Sequence, residues 1–212
     1  MRRRIITGIV LLVVGLAVST SGQNALGILD IPQGVAQIGA GGAGLSVISG
    51  AETLYYNPSG LSGLTGISFS SLFSTYMGQA SYSAFALAMR SVAIGLQTLS
   101  SGGIQGYDGN GNPTEVLSFG NTLISLGFGA DSSQLAFLST LPVRLAIGAQ
   151  IKLVSARFGE EHGSGFAFDL GTRIAFPDIA LGSFAVTEPA VGVTASNLFG
   201  SLSYDGGGDE AF

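Results

Sequence analysis

The stretch Val143–Phe176, VRLAIGAQIKLVSARFGEEHGSGFAFDLGTRIAF, decides the fold. Val143, Leu145, Ile147, Ala149, Ile151 and Leu153 alternate with Arg144, Ala146, Gly148, Gln150, Lys152 and Val154. Successive side chains of a strand point to opposite faces, so both charges fall on one side and an apolar stripe on the other. After the polar, glycine-rich Gly159–Gly165, read as a turn, the pattern returns. Phe166, Phe168, Leu170, Thr172, Ile174 and Phe176 alternate with Ala167, Asp169, Gly171, Arg173 and Ala175. The two runs read as one hairpin whose charged faces coincide, bringing Arg144, Lys152, Asp169 and Arg173 together. Each run matches the roughly 9–11 tilted residues with which a strand crosses a bilayer.

Working outward, further strands are expected at 67–76, 81–90, 92–99, 115–129 and 190–199, with a weaker signal at 180–187. Ser101–Pro113, rich in Gly, Asn and Asp, reads as a long loop, expected to face the cell exterior. This makes seven or eight strands of an all-β, antiparallel sheet. The count alone leaves open a small complete barrel or part of a larger one, because an open edge cannot stand unpaired in lipid.

Composition narrows the class. Charged residues make up 10% of the 212 and Gly 34 of them, against a usual charged fraction of about 25% for a soluble domain. The N-terminus runs from Arg2, Arg3 and Arg4 through an apolar core, Ile5–Val18, to Ser19, Thr20, Ser21 and Gly22. That is the order of a secretory signal peptide, assigned to residues 1–22, and its core is shorter than the roughly 20 residues of a spanning helix. The chain has no cysteine, which excludes a lipoprotein anchor, disulfides and thiolate metal sites. Without the three leader arginines, five basic residues face thirteen acids, so nucleic acid is not an expected partner. An exported chain, apolar overall and without a long apolar helix beyond the leader, fits a transmembrane β-barrel of a Gram-negative outer membrane.

Three motifs dissolve on inspection. Gly39–Gly44 spells GxGxxG, but Pro32 and Gly34 upstream and the lack of any acid between Glu52 and Asp108 remove the strand and the ribose-binding carboxylate that a dinucleotide site needs. Asp108, Asn110 and Asn112 imitate the start of a calcium loop, yet Pro113 and Phe119 stand where that loop needs Gly and Glu. His162, the single histidine, adjoins Glu160 and Glu161 on an extended turn, too few groups for a metal or a general base. No catalytic residue, metal or cofactor is expected.

One stretch carries a family resemblance. Gly34–Leu61, GVAQIGAGGAGLSVISGAETLYYNPSGL, resembles the start of the PorV/PorQ outer-membrane proteins, relatives of FadL-type transporters, in its glycine-rich run and in Tyr56, Asn57, Pro58, Ser59, Gly60 and Leu61. Ser59 stands where those proteins usually carry Ala. Ser164–Thr172, SGFAFDLGT, and Val191–Phe199, VGVTASNLF, extend the likeness over about residues 34–200. The resemblance implies that residues 23–64 form a plug or hatch inside the barrel and 65–212 an incomplete barrel that continues in further strands. The local chemistry agrees: Pro58 pushes Asn57 out of the helical region, and Pro58, Ser59 and Gly60 suit a turn.

Two functions follow from that likeness: passive transport of hydrophobic or amphipathic small molecules through a plugged barrel, or anchoring and shuttling of secreted cargo proteins at the cell surface. Outer-membrane lipid is the expected partner of both. A surface β-rich adhesin is a third reading, which explains the Gly and Ser content but not the one-sided charge. Arg144, Lys152, Asp169 and Arg173 on the charged face read first as a mutually paired, charged barrel interior; alternatively, three cations against one acid would favour an anionic group, such as a fatty-acid carboxylate, passing the lumen.

Overall fold

The computed structural model describes residues 27–29, 31, 33–39, 41, 44–47, 50–76, 78–133, 143–181, 184–207 and 209–211. Residues 1–22, expected to form a leader, lie outside them. The architecture is all-β and antiparallel, preceded by short helical turns. The strands are β1 (Ser68–Tyr76), β2 (Ala80–Met89), β3 (Val92–Tyr107), β4 (Pro113–Asp131), β5 (Arg144–Phe158), β6 (Glu161–Ala175), β7 (Ile179–Leu181), β8 (Phe184–Val186), β9 (Ala190–Tyr204) and β10 (Asp209–Ala211). Eight of them form one sheet in the order β1-β2-β3-β4-β5-β6-β9-β10, each antiparallel to its neighbours, while β7 and β8 form a separate ribbon. Among the described residues β1 and β10 are edges, and the sheet does not close on itself.

The strand expected at 190–199 runs on to Tyr204, the weak segment at 180–187 divides into β7 and β8, and two expected turns differ more deeply from the sequence reading. The expected loop at 101–113 is mostly strand: β3 runs to Tyr107 and β4 starts at Pro113, across register shifts at Ser101/Ile104 and Gln105/Tyr107. Ladder hydrogen bonds use the backbone alone, so a Ser- and Gly-rich stretch can pair whatever its side chains, and bulges absorb the mismatch. The turn proper is tied by Asp108, whose Oδ1 accepts from the backbone N–H of Asn110 (2.9 Å) and Asn112 (2.8 Å). These hydrogen bonds hold the Asp108 carboxyl below the ordinary aspartate range, the Asn112 side-chain amide contributing most. Likewise, the expected turn at 159–165 contracts to Gly159 and Glu160, with Gly159 at φ +60°, and Arg157 pairs directly with His162.

Burial alternates along β2 to β6, so the sheet has a covered and an open face. On the open face, apolar side chains line up in cross-strand rows: Phe85, Leu96, Ile124, Leu153 and Phe166 form one, and Leu87, Ile94, Leu126, Ile151 and Phe168 the next. Leu96, Ile124, Leu153, Leu126 and Phe166 are each about two-fifths exposed or more. The apolar rows stop at a row of hydroxyls, Ser83, Thr98, Thr122, Ser155, Ser164 and Ser203, paired in register across six strands.

Candidate functional site: the covered face

The covered face carries small and polar residues, and the described residues between 27 and 64 form the segment that covers it. Near one end of the strands Ile28 and Ile31 pack with Tyr82, Leu99, Leu123 and Leu202. Nearer the other end, Leu54, Leu61 and Leu64 pack on Ala86, Ala88 and Ala93. The fit depends on missing side chains. Gly129, Gly148 and Gly171 face one another across β4, β5 and β6. A Cβ on Gly148 would collide with the Pro58 and Ser59 backbone, one on Gly129 with Pro58 O, and one on Gly171 with Asn57 and Pro58. The turn Pro58–Gly63 thus lies directly on bare backbone.

Asn57 locks that turn. Its side chain is 2% exposed; Nδ2 donates to Leu45 O (2.8 Å) and Thr172 O (3.1 Å), while Oδ1 accepts from Ser59 N (3.2 Å) and Ser59 Oγ (2.6 Å). The amide is satisfied on both sides, as burial demands. Tyr56 O accepts from Thr194 Oγ1 (2.9 Å), and the Tyr56 hydroxyl bonds the Gln33 backbone, so Tyr56 joins two parts of the covering segment to β9. Burial pushes both the Tyr55 and Tyr56 hydroxyls above the ordinary tyrosine range, so both stay neutral donors. Pro58, Ser59 and Gly60 are buried in the turn.

The four charges expected on this face separate into two groups. Lys152 and Asp169 form a buried ion pair at 2.7 Å, side chains 10% and 2% exposed. Asn197 completes it: its Oδ1 accepts from Lys152 Nζ (2.9 Å) and its backbone N–H donates to Asp169 Oδ1 (2.8 Å). Asn197 has φ +58° and sits in a stretch of β9 where the pairing with β6 slips twice. The carboxylate therefore caps an N–H on an interrupted stretch of the ladder.

Arg173, 9% exposed, donates from Nε to Ser46 O (2.7 Å) and from Nη2 to Glu188 Oε1 (3.1 Å), joining the covering segment to the connection before β9. Arg144, with its side chain 56% exposed, stands at the sheet end rather than over the covered face, 3.2 Å from Asp131 and 3.8 Å from Glu188. A cleft of about 390 Å³ opens there, lined by Ser132, Arg144, Phe176, Asp178 and Glu188 among others.

The expected cation surplus is thus not what the described residues present, for Asp131 and Glu188 join Asp169 to balance Arg144, Lys152 and Arg173. Asp131, Glu188 and Asn197 escaped the sequence reading. Asp131 and Glu188 lie at strand ends or in connections, where alternation carries no signal. Asn197 had one clue, since Asn tolerates positive φ better than most residues.

Gly39 ends a short helix, Val35–Gly39, and no strand precedes it among the described residues. His162 is exposed on the open face, and no group of three or more His, Cys, Asp or Glu able to hold a metal occurs among the described residues. Among those residues no helix is long and apolar enough to cross a membrane, which says nothing of strands. No family model, curated protein or solved structure matches the chain.

Proposed function

We propose that this chain forms wall and plug of a FadL-like outer-membrane β-barrel of PorV/PorQ type that passes hydrophobic or amphipathic small molecules passively, without catalysis or cofactor. The observation that carries this reading is the two-faced sheet, apolar rows open on one side and buried polar groups under residues 27–64 on the other. In water an exposed band of this kind would drive association; in lipid it is the favourable surface. Along β5 the open-face apolar residues run from Leu145 to Leu153. Eight residue steps are about 26 Å of strand, and at the usual tilt of about 40° that is about 20 Å of membrane, close to the apolar band of known barrels. The covered face then lines the lumen, with residues 27–64 as its plug.

The test is fractionation followed by reconstitution. The exported full-length protein is expected in the outer-membrane fraction, migrating differently before and after boiling, and to admit an amphipathic dye into vesicles in preference to a sugar of equal size. Recovery in the soluble periplasmic fraction with no heat-dependent shift would sink it. The β3–β4 hairpin favours a second reading, a cargo-anchoring barrel, because from Gly102 to Val116 it stands largely exposed beyond the hydroxyl row. Co-purification of a secreted protein that is lost when 102–116 are shortened would support that reading over transport.

A further inference from the structure

We propose that Arg157 and His162, with Ser155 and Ser164 beneath them, bind the phosphate of a membrane lipid on the open face of the sheet. The inference rests on the barrel reading and names the lipid chemistry that the barrel's outer wall selects. Val154 and Ala156 are buried, so Ser155 and Arg157 point to the open face; Gly163 and Ala167 are buried, so His162, Ser164 and Phe166 do the same. The register pairs Arg157 with His162, Ser155 with Ser164 and Leu153 with Phe166. Directly opposed residues hold their Cβ atoms about 5 Å apart. Along one line down the wall the chemistry therefore changes from two cation-capable groups to two hydroxyls to an apolar row.

That order is the order of an anionic amphiphile: a phosphate against Arg157 and His162, ester and glycerol oxygens at the hydroxyls, and acyl chains over Leu153, Phe166 and Phe168. The two phenylalanine rings meet edge to face, centroids 5.8 Å apart, and extend the apolar surface below the hydroxyls.

Arg157 is placed for such a ligand and not consumed by the protein. Its Nε donates to Gly159 O at 3.2 Å, and no carboxylate reaches its guanidinium among the described residues. Arg144, Lys152 and Arg173, by contrast, each have one. The acids nearby are Glu160 in the turn, Glu161 and Asp205. Glu161 falls on the other face of β6, its carboxylate beside Gly206. Asp205 donates its backbone N–H to His162 O at 2.9 Å. A planar guanidinium grips two phosphate oxygens at once, and a ring N–H of His162 can donate to a further oxygen.

The experiment uses the full-length protein refolded in mild detergent and scores lipid retention by native mass spectrometry. The probes are phosphatidic acid, a diacylglycerol of the same acyl chains, and inorganic phosphate. The site predicts retention of phosphatidic acid over diacylglycerol by on the order of tenfold, no displacement by equimolar inorganic phosphate, and loss of the preference in Arg157→Ala/His162→Ala. Arg157→Lys is expected to keep part of it. Equal retention of both lipids, unchanged preference in the double variant, or displacement by inorganic phosphate would each overturn the proposal. Integration into vesicles, scored separately by resistance to urea extraction, reads the barrel itself: an integrated protein without lipid preference loses only this site, whereas one that fails to integrate loses both readings.

Discussion

The two faces of β5 and β6 are built from the same few strands yet obey opposite rules. On the open face Leu153 and Phe166 are almost half exposed, between the apolar pair Ile151 and Phe168 on one side and the hydroxyls Ser155 and Ser164 on the other. On the covered face, Lys152, one residue from Leu153, and Asp169, three from Phe166, are nearly sealed, and Gly148 and Gly171 are pressed against Pro58 and Asn57. Chemistry on the open face needs only to be apolar, so residues there are interchangeable. On the covered face each position answers to a particular partner, and volume, charge and hydrogen-bond count all matter.

The largest effect should come from splitting the buried pair. Lys152→Ala leaves the Asp169 carboxylate buried with only an N–H to hold it and should destabilise by about 3–5 kcal/mol. Lys152→Met with Asp169→Leu should recover most of the loss, since neither charge is then left alone. Urea titration of the refolded protein reads both, and a double variant no better than the single would mean that Asn197, not the charge, is the dominant partner.

Next comes the open face. Leu126→Arg sits near the middle of the apolar rows and should cost about 2–4 kcal/mol in a bilayer. In water the same change at an exposed position should cost within about 0.5 kcal/mol. Equal cost in vesicles and in aqueous buffer would erase the distinction between the faces.

The smallest and sharpest test uses adjacent residues. Gly148→Ala forces a methyl into the Pro58–Ser59 backbone and should cost about 1–3 kcal/mol. Ala149→Leu, one residue on and facing out, should be close to neutral. Stability measured by the same titration on both variants decides it, and reversed ranks would mean that residues 27–64 do not rest where they are described.

Much of this was legible because alternation is a one-dimensional signal. The run from Val143 to Phe176 assigns Lys152, Asp169 and Arg173 to one face without any structure, for the period of a strand admits nothing else. Its limits are as physical. Composition made a loop of Ser101–Tyr107, because glycine and serine carry no facial preference and ladder bonds do not consult side chains. A related limit hid Asp131, the last residue of β4, and Glu188, in the connection before β9, which balance Arg144 and Arg173 where alternation runs out.

What the sequence determined by itself, then, is the strand content, the division of each strand into an apolar and a polar side, and the coincidence of charges on one of them. All three follow from local geometry. Tertiary structure alone decided that Lys152 meets Asp169 diagonally beside an Asn197 held at positive φ, and that three glycines from three strands form one strip under Pro58. It also decided that Arg157 is left facing outward without a carboxylate. Those depend on register between strands, and register is set by turns and bulges that no single strand contains.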